Sequence, residues 1–233
     1  MTELRGGDPR QIGPYRLESR LGAGGKGQVF LGIAESGQRV AVRLLKPELA
    51  DEPEFRGRFA REVDTARTVD SLHVASIMDG DASADPPWLA TEYLPGASVY
   101  QRVSERGPLG PYELRDLGIR LARGLVDIHR RGLVHGDLKP GNVILTNEGP
   151  KIIDFGTSRA ADASTLTAAA AGTYAYMSPE QITSDRATPA SDVFALGCVL
   201  AFAATGAGPF DAPSVPAIVH QVTSEEPRLD AVP

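Results

Sequence analysis

The spacing of apolar and polar positions changes character partway along the chain. In the first third, short apolar runs alternate with turn residues. The segments "YRLESRLGAG" and "GQVFLGIAE" flank a glycine-rich turn, and "QRVAVRLL" follows the Ser36–Gly37 turn; all three read as strands. The period then becomes helical. In "DEPEFRGRFAREVDTARTV", Phe55, Phe59, Val63 and Ala66 recur on one face. Asp51 and Glu54 stand at capping-box spacing, and Pro53 suits a first turn. "VASIMDGD" and "PWLATEYL" predict two further strands.

The Pro95–Gly96 pair marks a boundary between lobes. Beyond it, Leu114, Leu117, Leu121, Leu125 and Ile128 form an apolar stripe in "YELRDLGIRLARGLVDIHRRG", with Gly132 as the stop. "GLVHGDLKPGNVILTNEGPKIIDFG" holds short apolar strands between turns. "STLTAAAAGTYAYMSPEQ", with its alanine run Ala168 to Ala171, reads as an irregular loop. "VFALGCVLAFAATG", from Val193, is too short to span a bilayer and reads as a buried helix. No internal repeat is visible. The layout is a small β-rich lobe followed by a mostly helical one.

Composition changes this picture little. The chain has 233 residues, 42% hydrophobic and 23% charged, as an ordinary globular protein does. A net charge of −6 gives no support for a nucleic-acid partner. The single cysteine, Cys198, lies in an apolar run and reads as a buried inert thiol; the absence of a disulfide framework fits a reducing, cytoplasmic setting. "MTELRGGDPRQIG" has no apolar core and is no signal peptide.

Two groups of residues carry chemistry. Gly22, Gly24 and Gly27 stand in G-x-G-x-x-G register in "LGAGGKGQVF", where backbone N–H groups can approach phosphates without a Cβ in the way. A strand, not a helix, follows them, which favours a hairpin lid over a dinucleotide-binding turn. The more specific group is "HGDLKPGNV" with "IIDFG": His135, Asp137, Lys139, Asn142, Asp154, Phe155 and Gly156. Asp137 can accept a proton from, or orient, an attacking hydroxyl. Asn142 and Asp154 offer hard oxygen ligands to Mg²⁺, and Lys139 can neutralise charge on a transferred group.

With these residues the chain resembles the eukaryotic-like Ser/Thr protein kinases of bacteria, in an actinobacterial style. The matching stretches run from "YRLESRLGAGGKGQVF" through "VAVRLL", Glu62 in "FAREV", "HGDLKPGNV", "DFG", "GTYAYMSPEQ" and "ASDVFALGCVL", about Tyr15 to Phe210. The resemblance implies an α+β, two-lobed kinase-like fold. A small antiparallel β lobe with one helix (residues 15–95) would follow an N-terminal extension (1–14), and a larger, mainly helical lobe (96–233) would lack the family's last helices.

The resemblance also implies ATP and Mg²⁺ as cofactors and a protein carrying Ser or Thr as substrate, with no membrane segment in this chain and a homodimer compatible with it. Leu21, Gly22, Gly24, Lys26, Gly27 and Val29 would line the nucleotide, Val29, Ala41 and Ile144 sandwiching adenine. Thr91 stands at the gatekeeper position, and Glu92 and Leu94 would offer hinge hydrogen bonds. Glu62 would pair with the strand cation, Asp137 serve as base, and Asn142 and Asp154 hold metal. Thr173 would bond near Asp137 and Lys139, and Asp192 would brace the catalytic loop from below.

Four departures from that pattern stand out. Arg43 occupies the strand-lysine position; it shares strand parity with Ala41 and can pair with Glu62, but its longer planar fork crowds the α- and β-phosphates. Lys26, at the tip of the glycine turn, is either a solvated loop lysine or a substitute ammonium; Lys46 has the wrong parity for that role. Gly136 replaces the arginine that normally pairs with an activation-loop phosphate, which would uncouple phosphorylation of Thr165 or Thr167 from activity. An end at Pro233 leaves Glu180 without the family's downstream arginine, and the apolar helix after Asp192 short of cover.

Two alternatives remain open at this point. Arg43, Gly136 and the short C-terminus suit a pseudokinase, a nucleotide-binding or scaffolding module. "HGDLKPGN" also fits small-molecule phosphotransferases of the aminoglycoside or choline kinase type. Lys139, "GTYAYMSPEQ" and "SDVFALG" argue against the second alternative.

Overall fold

The computed structural model describes residues 1–24, 27–45, 53–155, 172–184 and 186–232, without the side chains of residues 24, 53–55 and 58. Lys26, Lys46, Asp51, Gly156, Thr165, Thr167, the alanine run and the Glu54 side chain therefore lie outside the described residues. The chain divides into two compact units. One comprises Met1–Asp70 and Ala75–Leu94, the other Ser71–Val74 and Pro95–Pro233.

The first unit is built on an antiparallel sheet. Its strands are β1 (Thr2–Glu3), β2 (Gln11–Ile12), β3 (Tyr15–Gly24), β4 (Gly27–Ile33), β5 (Arg39–Leu45), β6 (Ile77–Asp81) and β7 (Trp88–Glu92), in the order β1-β3-β4-β5-β7-β6, with β2 also on β3. Residues 1–14 thus supply two short strands to the sheet. Asp8 ties this segment down through a two-pronged contact with the Arg20 guanidinium. Strand alternation divides the side chains between two faces. Val40 and Val42 pack with Ile12, Tyr15, Leu17, Phe30 and Trp88 on one face, where Tyr15 meets Trp88 edge-on at 5.8 Å. Leu45 and Leu89 pack on the other, against Phe59 and Val63 of α1 (Pro53–Ala66).

The second unit is mainly helical. It contains a small antiparallel sheet of β8 (Ala97–Ser98), β9 (Val143–Thr146) and β10 (Gly149–Ile152), in the order β10-β9-β8. Around it lie α2 (Val99–Arg106), α3 (Pro111–His129), α4 (Pro179–Ser184), α5 (Pro189–Thr205) and α6 (Val215–Ser224). Leu117, Leu121, Leu125 and Ile128 of α3 are buried, with Leu114 half-buried at the start of the same stripe. Each such burial contributes about 1.5–3 kcal/mol. Gly132 takes φ 72°, the left-handed conformation that suits glycine after a helix. Helix α5 starts with a Thr188–Ser191 capping box and stops at Gly206, φ 81°.

Two expectations are corrected here. The end of the "GTYAYMSPEQ" stretch is not irregular, because Pro179–Ser184 is helical. Nor is the apolar helix after Asp192 left bare on the side that faces α6. Cys198 packs with Phe210, Ile218 and Val222, and Phe194 stacks on Phe210 at 5.5 Å. The sequence "VPAIVHQVTS" supplies that cover by forming α6, whose Val215, Ile218 and Val222 turn inward. Burial pushes the Cys198 thiol up to about 12, with nearby Asp211 adding to the effect, so the thiol is inert as expected. Among the described residues no helix is long and apolar enough to cross a membrane.

Candidate active site

In the second unit, the irregular segment between α3 and β9 is gripped from α5. Asp192, 1% exposed, accepts the backbone N–H of His135 on Oδ2 and that of Gly136 on Oδ1, each at 2.8 Å. Its Oδ2 also meets His129 Nε2 at 2.7 Å, at the C-terminal end of α3. One buried carboxylate therefore joins two helices to the loop, and its acceptor sites are filled by donors, as burial of a charge requires.

His135 is fully buried and its partners fix its tautomer. Nδ1 accepts the Asp137 N–H at 3.2 Å, so the proton sits on Nε2, which donates to the Ile153 carbonyl at 3.0 Å. Ile153 N–H in turn donates to the Asn142 carbonyl at 2.9 Å. The residue before Asp154 is thus held on both sides, by the loop and by the 3-10 turn Pro140–Asn142. Asp154 itself takes φ 67°, the one non-glycine residue in the left-handed region among the described residues. Such strain persists only where the surroundings enforce it, and it gathers at working sites.

The polar side chains meet around Asp137. Lys139 Nζ donates to Asp137 Oδ1 at 2.9 Å and to Thr173 Oγ1 at 3.1 Å. Asn142 Nδ2 donates to the Asp137 carbonyl at 2.7 Å and lies 3.4 Å from Asp137 Oδ2. With its nitrogen donating to Asp137, the other end of the Asn142 amide is Oδ1, an acceptor of the kind a cation takes. Asn142 and Asp154 are hard oxygen donors of the kind that share a Mg²⁺ with phosphate oxygens and water. Among the described residues no cluster of three or more His, Cys, Asp or Glu could hold a metal alone. A metal that completes its shell with substrate phosphates needs no such cluster.

The first unit carries the remaining candidates. Gly24 pairs with Gly27 and Gly22 with Val29, so the glycines form a β-hairpin between β3 and β4. Gly27 takes φ 138°, and a Cβ there would lie 2.0 Å from the Leu44 carbonyl oxygen; only glycine fits. Leu21 sits in the register shift between Arg20 and Gly22. Arg43 pairs with Val29 on one side and Leu89 on the other. It lies two positions before Leu45 and shares that residue's face, the one α1 covers. Glu62 immediately precedes Val63 on α1, and both Arg43 and Glu62 are half-buried. Thr91 pairs with Ala41 and Glu92 with Val40. Glu92 also exchanges bonds with Ser76, through N–H to Ser76 O at 2.9 Å and Oε1 from Ser76 N–H at 3.2 Å. Leu94 closes the first unit, while Ile144 lies on β9 of the second.

Two participants were missed by the sequence reading. His129 carried no signal, as a lone histidine at a helix end. Gln181 carried one that went unread: it follows Ser178 at capping-box spacing. Its Oε1 accepts the Ser178 N–H at 3.1 Å, and its Nε2 donates to the Gly136 carbonyl at 2.9 Å. Glu180, expected to lack the family's downstream arginine, has its Oε1 bonded by the Ser191 hydroxyl. Burial pushes its carboxyl up, but the Ser191 bond, its own N–H and Ser178 outweigh this and hold it below the usual range.

Comparison with known proteins shows the family. A family model described as "Protein kinase domain" matches residues 15–231. The probable serine/threonine-protein kinase PkwA of Thermomonospora curvata is 52% identical over 99% of this chain and 31% of its own length. The serine/threonine-protein kinase AfsK of Streptomyces griseus is 45% identical over 100% of this chain and 29% of its own. The chain thus spans about a third of the length of these relatives. Among solved structures, a double-mutant form of the Mycobacterium tuberculosis PknI kinase domain superposes with a TM-score of 0.77 at 26% identity, covering 99% of this chain and 85% of that one. The α+β, two-lobed kinase-like fold expected from the sequence is the fold found, and the chain belongs to the protein kinase family.

Proposed function

We propose that this chain is the catalytic domain of a Ser/Thr protein kinase, moving the γ-phosphoryl group of ATP to a protein hydroxyl. The observation that carries the reading is the Asp137–Lys139–Thr173 chain of contacts, with Asn142 bonded to the Asp137 backbone. It places a carboxylate, an ammonium and a hard oxygen donor around one point, and such a group has no evident structural use.

In this reading Asp137 orients the substrate hydroxyl. The hydroxyl oxygen bonds to the γ-phosphorus as the bond to the β–γ bridging oxygen breaks; ADP leaves, and the hydroxyl proton passes to the Asp137 carboxylate. Lys139 neutralises charge on the transferred group, and Thr173 holds the ammonium in place. Asn142 and Asp154 would hold Mg²⁺, which when bound shields the phosphate charges. Positioning and charge neutralisation supply most of the rate enhancement. On the first unit, the hairpin Gly22–Gly24–Gly27 would cover phosphates, Arg43 with Glu62 would align them, Val29 and Ala41 would meet adenine, and Glu92 and Leu94 would meet its polar edge; Ile144 of the second unit is the remaining adenine candidate.

The test is transfer of label from γ-labelled ATP to a generic basic protein, with and without Mg²⁺. The reading predicts incorporation into Ser and Thr that stops when EDTA removes the metal. Incorporation unaffected by EDTA would contradict it.

A further inference from the structure

Asp137 can orient a hydroxyl only if its own Cα–Cβ bond points correctly, and that direction is set by the peptide plane joining Gly136 to Asp137. This plane is held at both ends. Its N–H, that of Asp137, donates to His135 Nδ1 at 3.2 Å. Its C=O, that of Gly136, accepts from Gln181 Nε2 at 2.9 Å. The preceding N–H, that of Gly136, is held by Asp192 Oδ1 at 2.8 Å. Gly136 takes φ 68°, a conformation in which a glycine backbone turns easily, so the plane needs outside restraint. Three side chains supply it, that of the neighbouring His135 and those of Gln181 and Asp192 from distant parts of the sequence.

The orientation of the Gln181 amide is fixed by its neighbours. The Ser178 N–H and hydroxyl both point to Oε1, at 3.1 and 3.2 Å, so that atom is the acceptor. The nitrogen then faces the Gly136 carbonyl, which accepts only. The same side chain thus closes the first turn of α4 and reaches across to the loop carrying Asp137. Helix capping needs only the acceptor half of the amide; the donor half is spent on Gly136.

We propose that Gln181 is a positioning residue for phosphoryl transfer: its carboxamide clamps the Gly136–Asp137 peptide and so aims the Asp137 carboxylate. The clamp joins a neutral amide to a neutral carbonyl and needs no charge or phosphate to form. It ties the segment ahead of α4, which includes Thr173, directly to the loop. The proposal rests on the kinase reading above.

The two halves of the amide can be separated by substitution. Gln181→Glu keeps the acceptor for Ser178 but sets a carboxylate oxygen against the Gly136 carbonyl. Gln181→Met keeps the length of the side chain and removes both bonds. At mildly alkaline pH, Gln181→Glu is expected to melt close to the wild type, while kcat falls about tenfold with the KM for ATP unchanged. Gln181→Met is expected to lose kcat similarly and to melt lower. Hydrogen exchange in the peptide covering residues 133–138 should be faster in both variants than in the wild type. Exchange does not depend on turnover, so it tests the clamp even in a preparation that transfers no phosphate. Wild-type protein without transfer would count against the kinase reading. An active wild type with Gln181→Glu within twofold of it, or unchanged exchange in both variants, would overturn the clamp.

Discussion

Asp192 Oδ1 accepts the Gly136 backbone N–H at 2.8 Å, across 56 positions of sequence. The same carboxylate serves the His135 N–H and His129 Nε2. Removing it leaves two buried N–H groups without acceptors, at about 1–3 kcal/mol each. Asp192→Ala should therefore lower the unfolding free energy by about 2–5 kcal/mol, read from urea melts. Stability within about 0.5 kcal/mol of the wild type would mean that water or relaxation replaces the carboxylate.

Lys139 contacts both Asp137 and Thr173, so under the proposed kinase reading its ammonium would stand where charge moves during transfer. Lys139→Met should reduce kcat by about 100-fold, the typical loss for one preorganised charged donor. Thr173→Val removes only the holder of that ammonium and should cost about tenfold. Steady-state kinetics with saturating ATP would separate the two; an equal loss in both would argue that Thr173 meets the substrate directly.

The N-terminal segment offers a test in pH. A hydrogen bond from Arg20 holds the Asp8 carboxyl down at about 2, against an ordinary value of 3.8. A carboxyl depressed on folding adds stability that is fully present above its unfolded value and is lost as pH falls through the folded one. The melting-temperature gap between wild type and Asp8→Asn should be constant above about pH 5 and close between about pH 4 and 2. A gap that persists at the acid end would show that Asp8 acts through shape and not charge.

Much of this was legible in the sequence. A strand after the glycines ruled for a hairpin, and Gly24 pairs with Gly27 to make one. Phe59, Val63 and Ala66, and the Leu117 to Ile128 stripe, turn inward because helical periodicity is a direct record of burial. Other elements left weaker marks. Helix α2 buries only Val99 and Val103, too few to show a period, though Ser98 and Gln101 form a capping box. Strands of two residues, β1 and β2, exist because β3 offers them an edge, and no local pattern encodes that. At the site, spacing named Asp137, Asn142 and Asp154. The contacts that hold the backbone just ahead of Asp137, from Asp192 and Gln181, join positions 45 to 57 residues apart and follow from packing alone.

Arg43 sets a further prediction. Its guanidinium is longer and more rigid than the ammonium usual at this strand position. Arg43→Lys should leave ATP affinity within about threefold and raise turnover by roughly tenfold, as read from nucleotide binding beside steady-state transfer. A gain confined to affinity would place the effect of the arginine in binding instead.

The central claim is that Asp137 performs chemistry on a protein hydroxyl. Its most direct test is a paired measurement of label transfer from γ-labelled ATP to a protein substrate by the wild type and Asp137→Asn, with ATP binding measured on both. ATP binding should be equal in the two proteins, and transfer should be reduced by about 100-fold or more in the variant. Transfer equal in the two, or absent from both while ATP binds, would contradict it.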